Sequence, residues 1–240
     1  MRLCQGGTLA QKLEETQGGL DEAQVKHYFR SLLSAVHYCL NVKQISHRDI
    51  KPENIMLDGN NDVFLADFGC SEFFAPINDD LSKATKGTYL FMAPEMFEGN
   101  KEKKVVKGPA VDIWAAGVTL FNLLTNRHPW EGKGVFDLAA KVKSEPPNLD
   151  LLGEGRDDLK QVLLKIFEKD PSERVDIYQL LDDPWVNDNG QNLVDLDMSI
   201  SNSESQKQLS ENTDSIGSFA NKLSRSHSHS HSHGPSNISF

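Results

Sequence analysis

Ser46, His47, Arg48, Asp49, Ile50, Lys51, Pro52, Glu53, Asn54, then Ile55 to Ala66, then Asp67, Phe68, Gly69: on this stretch the reading of the 240-residue chain turns. A carboxylate stands two positions before a lysine and five before an amide, and a second carboxylate follows an apolar, turn, apolar segment. Asp49 is placed to accept the proton of a hydroxyl, and Lys51 to neutralise charge on a transferring phosphoryl group. Asn54 and Asp67 offer the hard oxygen ligands that magnesium prefers, and magnesium bridges nucleotide phosphates. Ile55, Met56 and Leu57 are apolar, Asp58 to Asn61 is turn chemistry with Gly59, and Val63 to Leu65 is strand-like. A hairpin is therefore predicted, and it returns Asp67 to the neighbourhood of Asn54. Gly69 after Phe68 is expected to take backbone angles that other residues resist.

These residues together resemble the catalytic and metal-binding loops of the eukaryotic protein kinases. Ala93, Pro94 and Glu95 resemble the motif that closes the activation segment in that family. Asp112, Ile113, Trp114 and Gly117 resemble the start of its large central helix, and Arg174 the arginine that pairs with the glutamate. Lys51 followed by Pro52 and Glu53 resembles the serine/threonine class. Gly87, Thr88, Phe91 to Glu95, Gly108, Asp112, Trp114, Ala115 and Gly117 to Leu120 look like the calcium/calmodulin-dependent protein kinase kinase group.

The resemblance covers residues 1–186 and implies a mainly α fold, the kinase C-terminal lobe, built as a helical bundle with a small β-hairpin at the catalytic loop. It implies ATP and Mg2+ as cofactors and transfer of the terminal phosphate to protein Ser or Thr hydroxyls. Asp49, Lys51, Asn54 and Thr88 are the catalytic residues it implies. Cys4, Met56, Lys51 and Asp67 are expected around the nucleotide, and Asn54 and Asp67 on the metal. His47, Arg48, Phe68, Gly69, Glu95, Asp112 and Arg174 are expected in structural or regulatory roles. His47 serves packing and hydrogen bonding, Asp112 binds backbone amides of the catalytic loop, and Thr88 bonds to Asp49 and Lys51. A protein substrate is implied as partner, with an upstream kinase or regulatory protein beside it.

Composition narrows the classes from the other side. The net charge is -10, against a nucleic-acid binder, which needs a basic surface, and against adhesion to anionic membranes. No stretch approaches the roughly 20 apolar residues of a membrane helix. Cys4, Cys39 and Cys70 are odd in number and scattered, as in a reduced intracellular, cytoplasmic or nuclear protein. Cys70 reads as a small packing residue, because reactivity needs a lowered pKa.

In chain order, residues 1–9 resemble the end of the kinase hinge, with Gly6 and Gly7 as its flexible exit. The glycine-rich loop and strand lysine that hold a nucleotide from above have no counterpart here, so the N-terminal β lobe is expected to be absent. Leu20 to Leu40 reads as a helix, with Val25, Phe29, Leu32, Leu33, Val36 and Leu40 at three- and four-residue steps and an Asp21–Gln24 capping box. His27 and His37 on it read as structural. Ser71 to Met92 is the expected activation segment. Arg48 resembles an arginine that pairs with an activation-loop phosphate. Ala84 stands where that threonine is common, leaving Thr85, Ser82 or no phosphate at all. The basic run 101–107 reads as a solvated insertion.

Ala110 to Leu124 is apolar almost all round, the pattern of a buried helix. Val135 to Val142, Asp157 to Phe167 and Val175 to Leu181 read as shorter helices. From residue 187 to Phe240 the chain is rich in Ser, Asn and His, and is expected to be a disordered tail. It holds no basic amphipathic segment of the kind calmodulin targets use. Two functions follow: a serine/threonine kinase whose shortened chain has little activity alone, or a kinase-like large-lobe binding module.

Overall fold

A computed structural model describes residues 4–16, 18–73, 88–97 and 108–192. The chain divides into two units, Met1–Val194 and Asp195–Phe240, and all described residues fall in the first. Its helices are α1 (Leu9–Glu14), α2 (Glu22–His37), α3 (Gly108–Thr125), α4 (Val135–Ser144), α5 (Asp157–Ile166), α6 (Ile177–Leu181) and α7 (Pro184–Asn187). Four short strands, β1 (Ile45–Ser46), β2 (Ile55–Leu57), β3 (Val63–Leu65) and β4 (Glu72–Phe73), form two antiparallel pairs, β1 with β4 and β2 with β3. The fold is mostly helical, with a small amount of sheet at the candidate site.

The core is built around α3. Each residue from Val111 to Leu124 is buried, which is what an apolar circumference requires. It is covered by α2, α5, β1 and the turns Thr88–Phe91 and Leu149–Leu152. Gly117 allows the closest of these approaches, since a Cβ there would sit 2.2 Å from Ile166 Cγ2 on α5. Trp114 stacks on Trp130 at 5.2 Å between ring centres, with Phe167 edge-on to both. Lys169 Nζ lies 4.1 Å from the Trp130 ring centre. Burial, with Arg174 adding a like charge, brings its pKa down to about 8.

The predicted second helix is formed, but it ends differently. Asp21 caps α2 by accepting from the Ala23 and Gln24 amides, and Val25, Tyr28, Phe29, Leu32, Leu33 and Val36 are buried along it. A 16-residue helix is marginal in isolation, so this apolar face against the core is what maintains it. After His37 the chain passes into a π turn, Tyr38–Val42, instead of continuing as α-helix to Leu40. The Asn41 side chain donates to the His37 carbonyl, the oxygen an α-helical Asn41 amide would use, and the Lys43 amide reaches back to Tyr38. Gln44 then takes φ 55 and turns the chain into β1. His27 is exposed, and His37 is buried with its ring edge-on to Tyr178.

The folded unit continues beyond residue 186. Asp188 pairs with Lys26 and Arg30 of α2, and Asn192 donates to Asp188, so residues 187–192 belong with the helical body. The remaining tail, with its histidine and serine run, lies outside the described residues. So do the basic run 101–107 and residues 74–87, including Ser82, Ala84 and Thr85.

Candidate active site

β2 and β3 pair with Ile55 opposite Leu65 and Leu57 opposite Val63, closed by a turn in which Asp58 accepts from the Asn60 and Asp62 amides. The predicted hairpin is formed. At its open end the Ala66 amide donates to the Asn54 carbonyl at 2.9 Å, and this bond brings Asp67 back beside Asn54. On the other edge of β2 the hinge-like segment is anchored by two bonds, Gly6 amide to Leu57 carbonyl and Leu57 amide to Gly7 carbonyl. Gly6 is there for space, since a Cβ would meet the Asp58 carbonyl oxygen at 2.8 Å. Cys4 and Met56 are both half-buried, on neighbouring stretches of this arrangement.

Asp49 is held on three sides. Lys51 Nζ contacts both of its carboxylate oxygens, at 2.9 and 2.8 Å, and Asn54 Nδ2 donates to Oδ2 at 2.8 Å. The same Asn54 amide donates to the Asp49 backbone carbonyl. Lys51 Nζ also reaches Thr88 Oγ1 at 3.1 Å, which ties the turn Thr88–Phe91 to the carboxylate. Asp49 and Lys51 side chains are only 11% and 14% exposed, so solvent screens their attraction weakly. Both Nδ2 protons are committed to Asp49, which leaves the Asn54 amide oxygen out of those bonds.

Asp67 differs from the expectation made for its neighbour. The left-handed backbone belongs to Asp67 itself, at φ 60 and ψ 75, while Gly69 needs no such angle. Gly69 contributes room: its amide donates to Asp67 Oδ1, and a Cβ would sit 3.0 Å from that oxygen. Phe68 is 44% exposed on its outer side and lies edge-on to His47, with ring centres 4.7 Å apart. Cys70 is exposed, which corrects its reading as a packing residue. Partial desolvation of the sulfur, though the residue is exposed, together with the charges of Asp49 and Asp67 pushes the thiol up, away from reactivity.

Beneath the loop, His47 is 1% exposed. Its Nε2 lies 2.9 Å from the Ala66 carbonyl, and its Nδ1 accepts from the Asp49 amide. That pattern fixes the neutral tautomer with the proton on Nε2, and burial keeps the ring below its usual pKa. His47 is thus a brace and not a base. Asp112 is fully buried and accepts from the His47 amide and the Arg48 amide, both at 2.7 Å, and from Ser46 Oγ at 2.9 Å. Burial pushes its carboxyl up to about 6 even though all three donors and Arg48 favour the charge. Arg48 takes φ 67, a left-handed angle imposed at the point where both amides turn toward Asp112.

Arg174 closes the other end. Its guanidinium makes two bonds to Glu95, at 2.7 and 3.0 Å, and also donates to the Ala110 and Glu168 carbonyls. Sequence reasoning missed Ser46, a hydroxyl immediately before His47 whose partner lies 66 residues away.

Asn54 and Asp67 fit a magnesium ion by their chemistry: an amide oxygen left over by the bonds to Asp49, and a carboxylate with one oxygen uncommitted to Gly69. Among the described residues no group of three or more His, Cys, Asp and Glu could hold a metal. Magnesium suits a site with few protein ligands, because waters and nucleotide phosphates fill its shell.

The site thus combines a buried anchor for the loop, a carboxylate fixed by lysine and amide, and a hairpin that returns a second carboxylate. A family model for the protein kinase domain matches residues 1–186, and the chain belongs to that family. It is 34% identical over 191 residues to a calcium/calmodulin-dependent protein kinase kinase, cmkC, of Emericella nidulans, covering 79% of this chain and 36% of the relative. It is 38% identical over 162 residues to the serine/threonine-protein kinase ppk34 of Schizosaccharomyces pombe, covering 68% and 44%. It is 34% identical over 187 residues to CBL-interacting serine/threonine-protein kinase 9 of Arabidopsis thaliana, covering 77% and 40%. The chain thus spans less than half the length of these curated relatives.

Proposed function

We propose that this chain carries the large-lobe half of a serine/threonine protein kinase, which transfers the γ-phosphate of ATP to a protein Ser or Thr hydroxyl. The observation that carries the reading is Lys51 Nζ bridging Asp49 and Thr88 while Asn54 holds Asp49 from the other side. Asp49 orients the acceptor hydroxyl and accepts its proton. Lys51 offsets the charge that builds on the transferring group, and Thr88 keeps that lysine in place. Asn54 and Asp67 would hold magnesium, which neutralises phosphate charge when bound. Cys4 and Met56 form the floor under the adenine.

The described residues that this reading assigns to the nucleotide would hold it from one side only, so this chain on its own is expected to bind ATP weakly and transfer slowly. Serine/threonine specificity rests on Lys51 and on the names of the relatives. Those names include calmodulin and CBL, and what carries over is dependence on a regulatory protein; the composition of residues 187–240 argues against calmodulin in that role. An upstream kinase acting on Thr85 or Ser82 fits Arg48. The scattered cysteines favour an intracellular site, and among the described residues no helix is long and apolar enough to cross a membrane.

A binding-module reading draws on the one-sided nucleotide site. Calorimetry of ATP with and without magnesium separates the two. Magnesium-dependent binding that Asp67→Asn removes is the kinase outcome. Absence of any magnesium-dependent binding in the wild type would favour the module.

A further inference from the structure

Ser46 is buried, and its Oγ lies 2.9 Å from two acceptors, the Gly108 carbonyl at the start of α3 and Asp112 Oδ2. A hydroxyl has one proton to give, so it serves only one of them at a time. With Asp112 ionised, the bond to the carboxylate is charge-assisted and wins. With Asp112 neutral, an acid proton on Oδ2 donates to Ser46 Oγ, and Ser46 turns its own proton to the Gly108 carbonyl. Every proton has an acceptor in both settings. A single hydroxyl rotation separates them.

The two settings are unequal for the loop. The His47 and Arg48 amides bond to a full negative charge in one and to a neutral carboxyl in the other, and hydrogen bonds to an ionised acceptor are about twice as strong. Those amides immediately precede Asp49.

We propose that Ser46 is a positioning residue: by donating to Asp112 it keeps that carboxylate ionised at neutral pH, and so holds the His47–Arg48 backbone and the adjoining Asp49 in place. Arg48 acts in the same direction through its charge, as the cation in the surroundings of Asp112. Cys39, from the turn after α2, is pushed up to about 11 by burial and by Asp112 itself, so it stays a neutral thiol. His47 is held neutral by burial. On the side of α3, Arg174 and Glu95 offset one another at the Ala110 carbonyl. Beside the His47 and Arg48 amides, Ser46 is the side-chain hydroxyl that donates to Asp112, and it is the donor that a substitution can remove. Asp112 stands at about 6, close enough to neutrality for the loss of one donor to matter.

The kinase reading enters only through the consequence for Asp49, and the test reads the carboxyl itself. In the full chain with carbon-13-labelled aspartate and glycine, the Asp112 carboxyl carbon, the Arg48 amide and the Gly108 carbonyl are followed by NMR through the acid range. In the wild type all three are expected to share one midpoint, because the Ser46 proton moves to Gly108 as Asp112 takes up its own. Ser46→Ala is expected to raise the Asp112 and Arg48 midpoint by about one pH unit, the worth of one hydrogen bond to a charged group. Ser46→Thr, which keeps the hydroxyl, is expected to restore it. A Gly108 carbonyl indifferent to the titration in the wild type would overturn the proposal even if the alanine variant did not fold. So would a Ser46→Ala protein with the wild-type midpoint, or an Arg48 amide that does not follow Asp112. Since none of these readouts needs phosphate transfer, an inactive chain leaves the test intact.

Discussion

Asp49 has no free choice of position. Its carboxylate is fixed by Lys51 and Asn54, its amide donates to His47, and the two residues before it are tied through Asp112 to the core helix. Replacing Asp49 by Asn keeps the shape and removes the proton acceptor, so phosphate transfer should fall by roughly 100-fold or more with the fold retained. Steady-state transfer beside a circular dichroism spectrum checks both halves. Arg174 gives a different kind of test. Its side chain is fully buried against Glu95, itself only 11% exposed, so Arg174→Ala leaves a carboxylate with little water and no cation. Denaturant unfolding should show a loss of roughly 3–5 kcal/mol, much more than the intact pair contributes. At this scale the sequence was legible where residue types carry chemistry, as with Asp49, Lys51, Asn54 and Asp67. It was misleading at Gly69, where the strained angle belongs to Asp67 and glycine serves only to leave space.

Among the elements, α3 is where the fold is most exposed to a single change. Gly117→Ala places a methyl 2.2 Å from Ile166, which forces α3 and α5 apart. Overpacking of this kind should cost about 1–3 kcal/mol, read as a lower denaturant midpoint at unchanged slope. The apolar circumference of α3 and the three- and four-residue steps of α2 could be read directly, because burial imposes a period on the sequence. The π turn Tyr38–Val42 could not. It depends on a side-chain bond from Asn41 to His37, which leaves the apolar pattern through Leu40 undisturbed. The entry to α1 after the hinge carries its own local signal, Thr8 followed by Gln11, a reciprocal capping box. The link from Ser46 to Asp112 was invisible for another reason: a contact across that separation has no local signature.

For the molecule as a whole, acid stability is set by opposed groups. His37, His47 and His128 are all held below the ordinary histidine pKa by burial, so as pH falls below about 6.5 the unfolded chain takes up protons that the folded chain refuses. Stability from these three is complete above that point and declines on acidification. Asp112 works in the opposite sense, because the folded protein binds its proton at about 6 while an unfolded aspartate waits until about 3.9. Between about pH 7 and about 5 the histidines pull the denaturant midpoint down and Asp112 pulls it up. His128→Phe removes one of the downward contributions, so the variant's midpoint should lose less than the wild type's, or gain more, over that window, which shifts the slope of midpoint against pH. The ring already packs edge-on against Phe91, and its Nδ1 is buried without a hydrogen-bond partner among the described residues. A slope unchanged by that replacement would remove His128 from the explanation.

Asp67 and Asp49 serve one reaction only if removing the Asp67 charge abolishes transfer at Asp49. Transfer of labelled phosphate from ATP with magnesium to a generic basic protein, by the wild type and by Asp67→Asn under single-turnover conditions, tests this most directly. Slow, magnesium-dependent incorporation into Ser or Thr that disappears in the variant is the predicted result. Incorporation equal in both proteins, or none in the wild type at any magnesium concentration, would contradict it.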